Sequence, residues 1–260
     1  MGVLKKIKGI LRQDPEADAV SFWKLSSYDS RIQDYSHWCG SSRWNTERWS
    51  EYGRRNVGFA LGTILEASGP AFIEQARTGS ALEWGCGGGA NVIALYEYFR
   101  EVSGVEIAGP TLEECRRQAM RHGKKNFQGC LIDSGRPESA LQKIGRGSLD
   151  FVLSIEVFQH FPSKDYTARV LRVISELLKD GALAWIQVRD DDGSPKLRQK
   201  DADYAANMIY MTSFTAEAFS RMAEKCGFTL VWKGRDASAG GDDHAYYLMR
   251  KGFPLTKGSP

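Results

Sequence analysis

Residues 81–92, Ala-Leu-Glu-Trp-Gly-Cys-Gly-Gly-Gly-Ala-Asn-Val, join an apolar strand to an apolar helix through a turn made almost wholly of glycine. Gly85, Gly87 and Gly89 remove the Cβ atoms that would hold a ligand off the backbone, and Cys86 fits such a turn as a small filler rather than a nucleophile. The helix that follows, 90–100, aims its free N–H groups at whatever occupies the turn, which suits a small charged ligand. Glu83, two residues before the first glycine, can orient the loop or reach an amino group through water. Glu106 closes the next apolar run, 102–107, where a carboxylate can accept both hydroxyls of a ribose. His160 follows the apolar run 149–155, and a neutral imidazole there can take a proton near neutral pH. Asp190 and Asp191, followed by Asp192, form a second candidate base group. Gly193 and Pro195 beside them also fit a solvated turn, and no metal site is expected.

Upstream, residues 35–55 crowd three tryptophans, two tyrosines, a histidine and four arginines into one segment. Large aromatic faces beside arginine suit a lid over a bound ligand, with His37, Trp38, Arg43, Trp44 and Trp49 as its substrate-facing residues. The same residues also fit a packing cluster in which Trp44, Trp49 and Tyr52 form a satellite core. His37 and His244 rank behind His160 as bases.

Gly85-x-Gly87-x-x-Ala90 satisfies a loose dinucleotide fingerprint, so the turn alone does not separate two cofactors. The longer string Glu83-x-Gly85-x-Gly87-x-Gly89 resembles the first motif of class I S-adenosylmethionine-dependent methyltransferases, and later segments fall in that family's order over roughly residues 80–250. The resemblance implies S-adenosylmethionine as cofactor. Glu106, in Ser-Gly-Val-Glu-Ile-Ala, looks like the ribose-binding acid, and Asp133, in Gly-Cys-Leu-Ile-Asp-Ser, like the acid at the adenine amino group. Ile107, Ser134 and Ile155 stand beside them at the strand ends. Closest in look are sugar and natural-product O-methyltransferases, some of which carry a catalytic histidine where His160 stands. Where such enzymes carry an acid at the end of the fifth strand, this chain has Gln187, which puts a His-Asp pair in doubt. The expected activity is methyl transfer to a hydroxyl of a small molecule or glycan. N-methylation, or a non-catalytic cofactor-binding or scaffold subunit, is the alternative. A nicotinamide oxidoreductase is a distant third reading, since no Tyr-x-x-x-Lys pair stands near the strand ends.

To position these residues, the chain must build an open sheet. The runs 81–84, 151–155 and 183–186 are almost continuously apolar, as strands covered on both faces are. Strands are expected near 80–84, 102–107, 128–133, 149–155, 182–188, 228–233 and 244–250. Helices are expected near 56–67, 90–100, 110–122, 137–144, 164–179 and 215–226. This is an α/β, Rossmann-like fold with a seven-stranded, mostly parallel sheet, a reversed last strand and an N-terminal helical extension. Its expected divisions are 1–78 for the helical or lid extension, 79–253 for the methyltransferase domain and 254–260 for a polar tail. The 260 residues carry a formal net charge of +3, with no basic aromatic stripe, so nucleic acid is not an expected partner. Five widely spaced cysteines read as reduced thiols and point to the cytoplasm. Residues 1–12 place Val3, Leu4, Ile7, Ile10 and Leu11 on one helical face and mostly lysines on the other. That pattern permits peripheral contact with the inner face of a membrane, packing on the chain's own domain, or a homodimer contact.

Overall fold

The computed structural model describes residues 14–195, 197–200, 203–235 and 243–252. The basic segment 1–12 and the tail 254–260 lie outside the described residues. Ahead of the sheet run α1 (Pro15–Lys24), α2 (Ser30–Tyr35), α3 (Thr46–Ser68) and α4 (Ala71–Ala76). Alternation then follows: β1 (Ser80–Trp84), α5 (Ala90–Leu95), β2 (Glu101–Glu106), α6 (Gly109–Arg121), β3 (Gln128–Leu131), α7 (Ser139–Ile144) and β4 (Leu149–Ser154). A single 3-10 turn (Phe158–His160) leads into α8 (Lys164–Leu177) and β5 (Leu178–Arg189). The chain ends with α9 (Tyr204–Asn207), α10 (Ala216–Lys225), β6 (Phe228–Gly234) and β7 (His244–Lys251).

The strands form one seven-stranded sheet in the order β3-β2-β1-β4-β5-β7-β6. The strands β3 to β5 pair in parallel, whereas β7 runs antiparallel to both β5 and β6. This is the mostly parallel sheet that the apolar runs predict, with the reversed last strand that the family resemblance implies. Side chains alternate between two cores. Leu82, Val152, Ile186 and Tyr247 face α8 and α10, while Ala81, Phe151, Leu153 and Trp185 face α3 and α5. Each of the Leu, Val, Ile and Phe side chains among these, fully withdrawn from water, contributes about 1.5–3 kcal/mol.

The largest departure from expectation is α3, which begins at Thr46 rather than near residue 56. Asn45 caps it by accepting the Arg48 amide at 2.8 Å, and Trp49, Tyr52 and Gly53 continue the buried stripe that Val57, Ala60, Leu61 and Ile64 complete. Gly53 lets this helix approach α5, because a Cβ there would sit 2.1 Å from the Ala90 carbonyl oxygen at its start. Half of the aromatic segment is therefore helix packed on the core. Among the described residues, no helix is long and apolar enough to cross a membrane.

Candidate active site

Ligands of open α/β sheets collect beyond the carboxyl ends of the strands, and there β1, β2 and β4 open into a solvent-connected cleft.

The glycine turn forms its floor. Gly85, Gly87 and Gly89 all take positive φ, at 76°, 50° and 93°, the region where a Cβ is costly. The Gly85 and Cys86 amides donate to the Val105 carbonyl at 2.9 and 3.0 Å, tying the turn to β2. Cys86 is buried against Gly104, and contact with Cys115, with burial, pushes its thiol well up, as suits packing. Glu106 ends β2 and lines the cleft. Its Oε2 accepts the Gly87 amide at 3.2 Å, and its Oε1 accepts those of Ile107 and Ala108 at 2.7 and 3.1 Å. A carboxylate offers about four acceptor sites, so capacity remains for a ligand hydroxyl, and the long Gly87 bond can be shared. Burial pushes the Glu106 carboxyl up, while the same three amides oppose that shift.

Glu83 lies beneath the turn, buried, with Oε1 accepting from Asn91 Nδ2 at 2.6 Å; Asn91 in turn accepts from Asn56 at 3.1 Å. Glu83 Oε2 is buried with no protein partner. Burial, opposed by Asn91, raises this carboxyl to about 8. An acid held protonated only in the folded state loses stability as pH rises from its unfolded value of 4.5 through about 8. Glu83→Gln should therefore flatten the fall in Tm between pH 6 and pH 8.5, checked by calorimetry of the cofactor-free protein. An unchanged slope would place the pH dependence elsewhere.

The N-terminal segment seats on the turn. The Gly88 amide donates to the Ser36 carbonyl at 2.6 Å, and a Cβ on Gly88 would lie 2.1 Å from the His37 carbonyl oxygen. That same carbonyl accepts Trp49 Nε1 at 2.8 Å, and the His37 ring stacks on Tyr52 with its edge toward Trp44. His37 Nε2 meets Glu156 Oε2 at 3.2 Å. Both residues of this pair have positive φ, 55° for His37 and 57° for Glu156, conformations that L side chains keep only when their surroundings hold them there. Burial pushes the Glu156 carboxyl up, but His37, with the charges of His244 and His160, outweighs it and holds the group at about 2. The Glu156 amide donates to Gln187 Oε1 at 2.6 Å, so Gln187 positions this loop.

His160 lines the cleft opposite the glycine turn. Its Nδ1 lies 2.9 Å from the Met208 carbonyl oxygen. A carbonyl can only accept, so Nδ1 carries the proton and Nε2 the lone pair. Burial drives the imidazole down to about 4 against the opposing effects of Met208 and Glu156, which keeps it neutral at physiological pH. The Trp23 and His160 rings pack edge to face, with centroids 4.9 Å apart.

Other expected site residues stand elsewhere. Ser134, Ile107 and Ile155 line the cleft, but Asp133 turns outward, accepting from the Gly135 amide at 3.0 Å and pairing with Arg136 at 3.1 Å. Asp190 pairs with Arg235, and Asp191 accepts the Gly193 amide at 3.0 Å in a local turn. Neither acid lines the cleft. Trp44 and Trp49 are buried among Tyr52 and Ala90, Trp38 donates to Thr111 at 3.3 Å, and exposed Arg43 lies 6.0 Å from the Tyr35 ring. His244 bonds Gln159 at 2.7 Å. Conversely, Glu16, Trp23, Tyr166 and Tyr204 line the cleft unannounced. For Glu16 and Trp23 the legible signal was Asp14-Pro15, an N-cap followed by proline at N1, which starts α1, and Tyr166 falls in the helix expected near 164–179.

A family described as a methyltransferase domain matches residues 54–233. Over 131 residues the chain is 28% identical to a ubiquinone biosynthesis O-methyltransferase of Albidiferax ferrireducens, a match covering 49% of this chain and 48% of that one. The chain thus spans about half the length of this curated relative. Among solved structures it is similar to an S-adenosylmethionine-dependent methyltransferase from Clostridium acetobutylicum, with TM-score 0.58, 15% identity and coverage of 80% of this chain and 93% of that one. It is also similar to a 1,6-didemethyltoxoflavin-N1-methyltransferase from Burkholderia thailandensis solved with S-adenosylhomocysteine, with TM-score 0.55, 21% identity and coverage of 79% and 87%. The structural likeness speaks for the fold, and the family match takes in the glycine turn and all the strands that frame the cleft: the chain belongs to the class I S-adenosylmethionine-dependent methyltransferases.

Proposed function

We propose that the protein transfers a methyl group to a hydroxyl of a small molecule or glycan, with His160 as general base. The observation that carries this reading is the Met208 carbonyl on His160 Nδ1, which leaves a basic Nε2 on a ring that lines the cleft.

The cleft fits the cofactor on its own terms. Glu106 keeps acceptor capacity for a ribose, and the glycine turn exposes backbone to the cleft. Bound S-adenosylmethionine supplies an electrophilic methyl on a sulfonium. The protein's tasks are then to hold the acceptor oxygen in line, keep water out and receive its proton. Ser36 and His37 line the cleft, as does His160, whose Nε2 would receive the proton in this reading. The relative named as a ubiquinone biosynthesis O-methyltransferase supports oxygen as the acceptor atom.

Two measurements test this reading. Glu106→Ala should weaken S-adenosylmethionine binding by about 1–3 kcal/mol, because ribose hydroxyls lose a charged acceptor. Unchanged affinity by titration calorimetry would remove Glu106 from the ribose. Mass spectrometry of products from a panel of matched alcohols and amines should find the methyl on oxygen, and methylation of amines alone would reject the hydroxyl reading.

A further inference from the structure

One chamber of the cleft is walled by α1, which contributes Glu16 and Trp23, by α9, which contributes Tyr204, and by α8 and the segment before it, which contribute Tyr166 and Phe161. The polar tips of this chamber are largely spent on one another. Trp23 Nε1 donates to the Tyr204 hydroxyl at 2.8 Å, that hydroxyl donates to the His160 carbonyl at 2.7 Å, and His160 Nδ1 is held by Met208. What a ligand meets is chiefly ring surface around one basic nitrogen. A sugar, with hydroxyls on every side, would leave most of them without partners there, at a cost for each.

Charge points the same way. Among the described residues the cleft wall holds three carboxylates, Glu16, Glu106 and Glu156, and no lysine or arginine. The nearby Arg169 is committed: it donates to Glu138 at 3.0 Å and to the Gly135 carbonyl at 2.9 Å, and stands 3.9 Å from Glu16 on the side of the Tyr166 ring. A phosphoryl or carboxylate group would be stripped of water beside like charge, with no cationic fork to receive it.

From this chamber we infer that the acceptor is an uncharged or cationic aromatic alcohol, seated against Trp23 and Tyr166 with its hydroxyl toward His160 Nε2, and that phosphorylated or nucleotide-linked sugars are excluded. This deepens the hydroxyl-transfer reading and rests on it.

The test is titration calorimetry on the full chain saturated with S-adenosylhomocysteine, using 2-naphthol, tyramine, 2-naphthyl phosphate and uridine diphosphate glucose as probes. The two phenols should bind at least about tenfold more tightly than either phosphate. Glu16→Lys should weaken tyramine and strengthen 2-naphthyl phosphate. A phosphate probe that matches 2-naphthol, failure of both phenols to bind, or a Glu16→Lys variant with unaltered charge preference each overturns the inference. Binding is read without turnover, so the two readings fail separately. Phenols that bind but are never methylated on oxygen refute the hydroxyl transfer and leave the acceptor's binding class standing. O-methylated product from a tightly bound phosphorylated sugar does the reverse.

Discussion

Replacing His160 with alanine is expected to lower turnover by about 10²–10⁴-fold while leaving S-adenosylmethionine affinity near wild type, since a positioned base acts on the rate and not on cofactor binding. The alanine variant also strips the Met208 carbonyl of its donor. His160→Gln separates the two effects, because an amide N–H can still reach Met208 while no basic nitrogen remains. Both variants should be equally slow. The pH profile carries an independent signature. Burial lowers this imidazole to about 4, and the neutral ring is the working form. The wild-type rate should therefore hold steady across physiological pH and fall only as pH drops through about 4, well below the range of an exposed histidine. Both variants should lack that acid limb. Near-full turnover in His160→Gln, or an acid limb that survives it, would show that the base lies elsewhere.

The strands and their order were legible because a parallel sheet buried on both faces writes itself as continuous apolar runs, and residues 81–84, 151–155 and 183–186 carry that mark. Glu106 was legible as the last residue of a strand beside a glycine turn, and it lines the cleft. Asp133 was read the same way and does not line the cleft. It too follows a strand, but Arg136 three residues on and the Gly135 amide give its carboxylate nearer partners on the solvent side. Local hydrogen bonds of this kind compete with any ligand contact, and spacing along the chain does not reveal which side chain wins.

The acids after β5 show a similar limit. They carried two readings, a base group and a solvated turn, and in the fold Arg235, just past β6, pairs with Asp190 while the Gly193 amide holds Asp191 in a turn. The aromatic segment 35–55 carried two readings, and the fold divides its residues between core and cleft wall. Trp44, Trp49 and Tyr52 are packing, written in the spacing of α3 from its cap at Asn45, whereas Ser36 and His37 reach the cleft. What no periodicity could reveal is the pairing of His37 with Glu156, 119 positions apart in a chain folded so that both take left-handed backbone. Long-range pairs between strained residues depend on tertiary packing alone.

That pairing motivates the second large effect. Gly88 sits under the backbone of Ser36 and His37, its own φ outside the left-handed region, so alanine there meets no local strain. The new Cβ would instead lie 2.1 Å from the His37 carbonyl oxygen. Real contacts of this kind stay beyond 3.0 Å, so the N-terminal segment must lift by roughly 1 Å. It would lose the Gly88–Ser36 hydrogen bond and slacken the His37–Glu156 pair. A displacement of about that size near reacting groups costs on the order of 10²-fold in rate. Gly88→Ala should accordingly reduce turnover about 10²-fold, weaken cofactor binding and open residues 35–45 to limited proteolysis, while the sheet keeps its cooperative unfolding. Glu156→Gln should produce a milder version of the same proteolytic pattern, since it weakens the latch without pushing on the backbone. If Gly88→Ala turns over normally and resists protease like the wild type, Ser36 and His37 are passive packing and the cleft closes by other means.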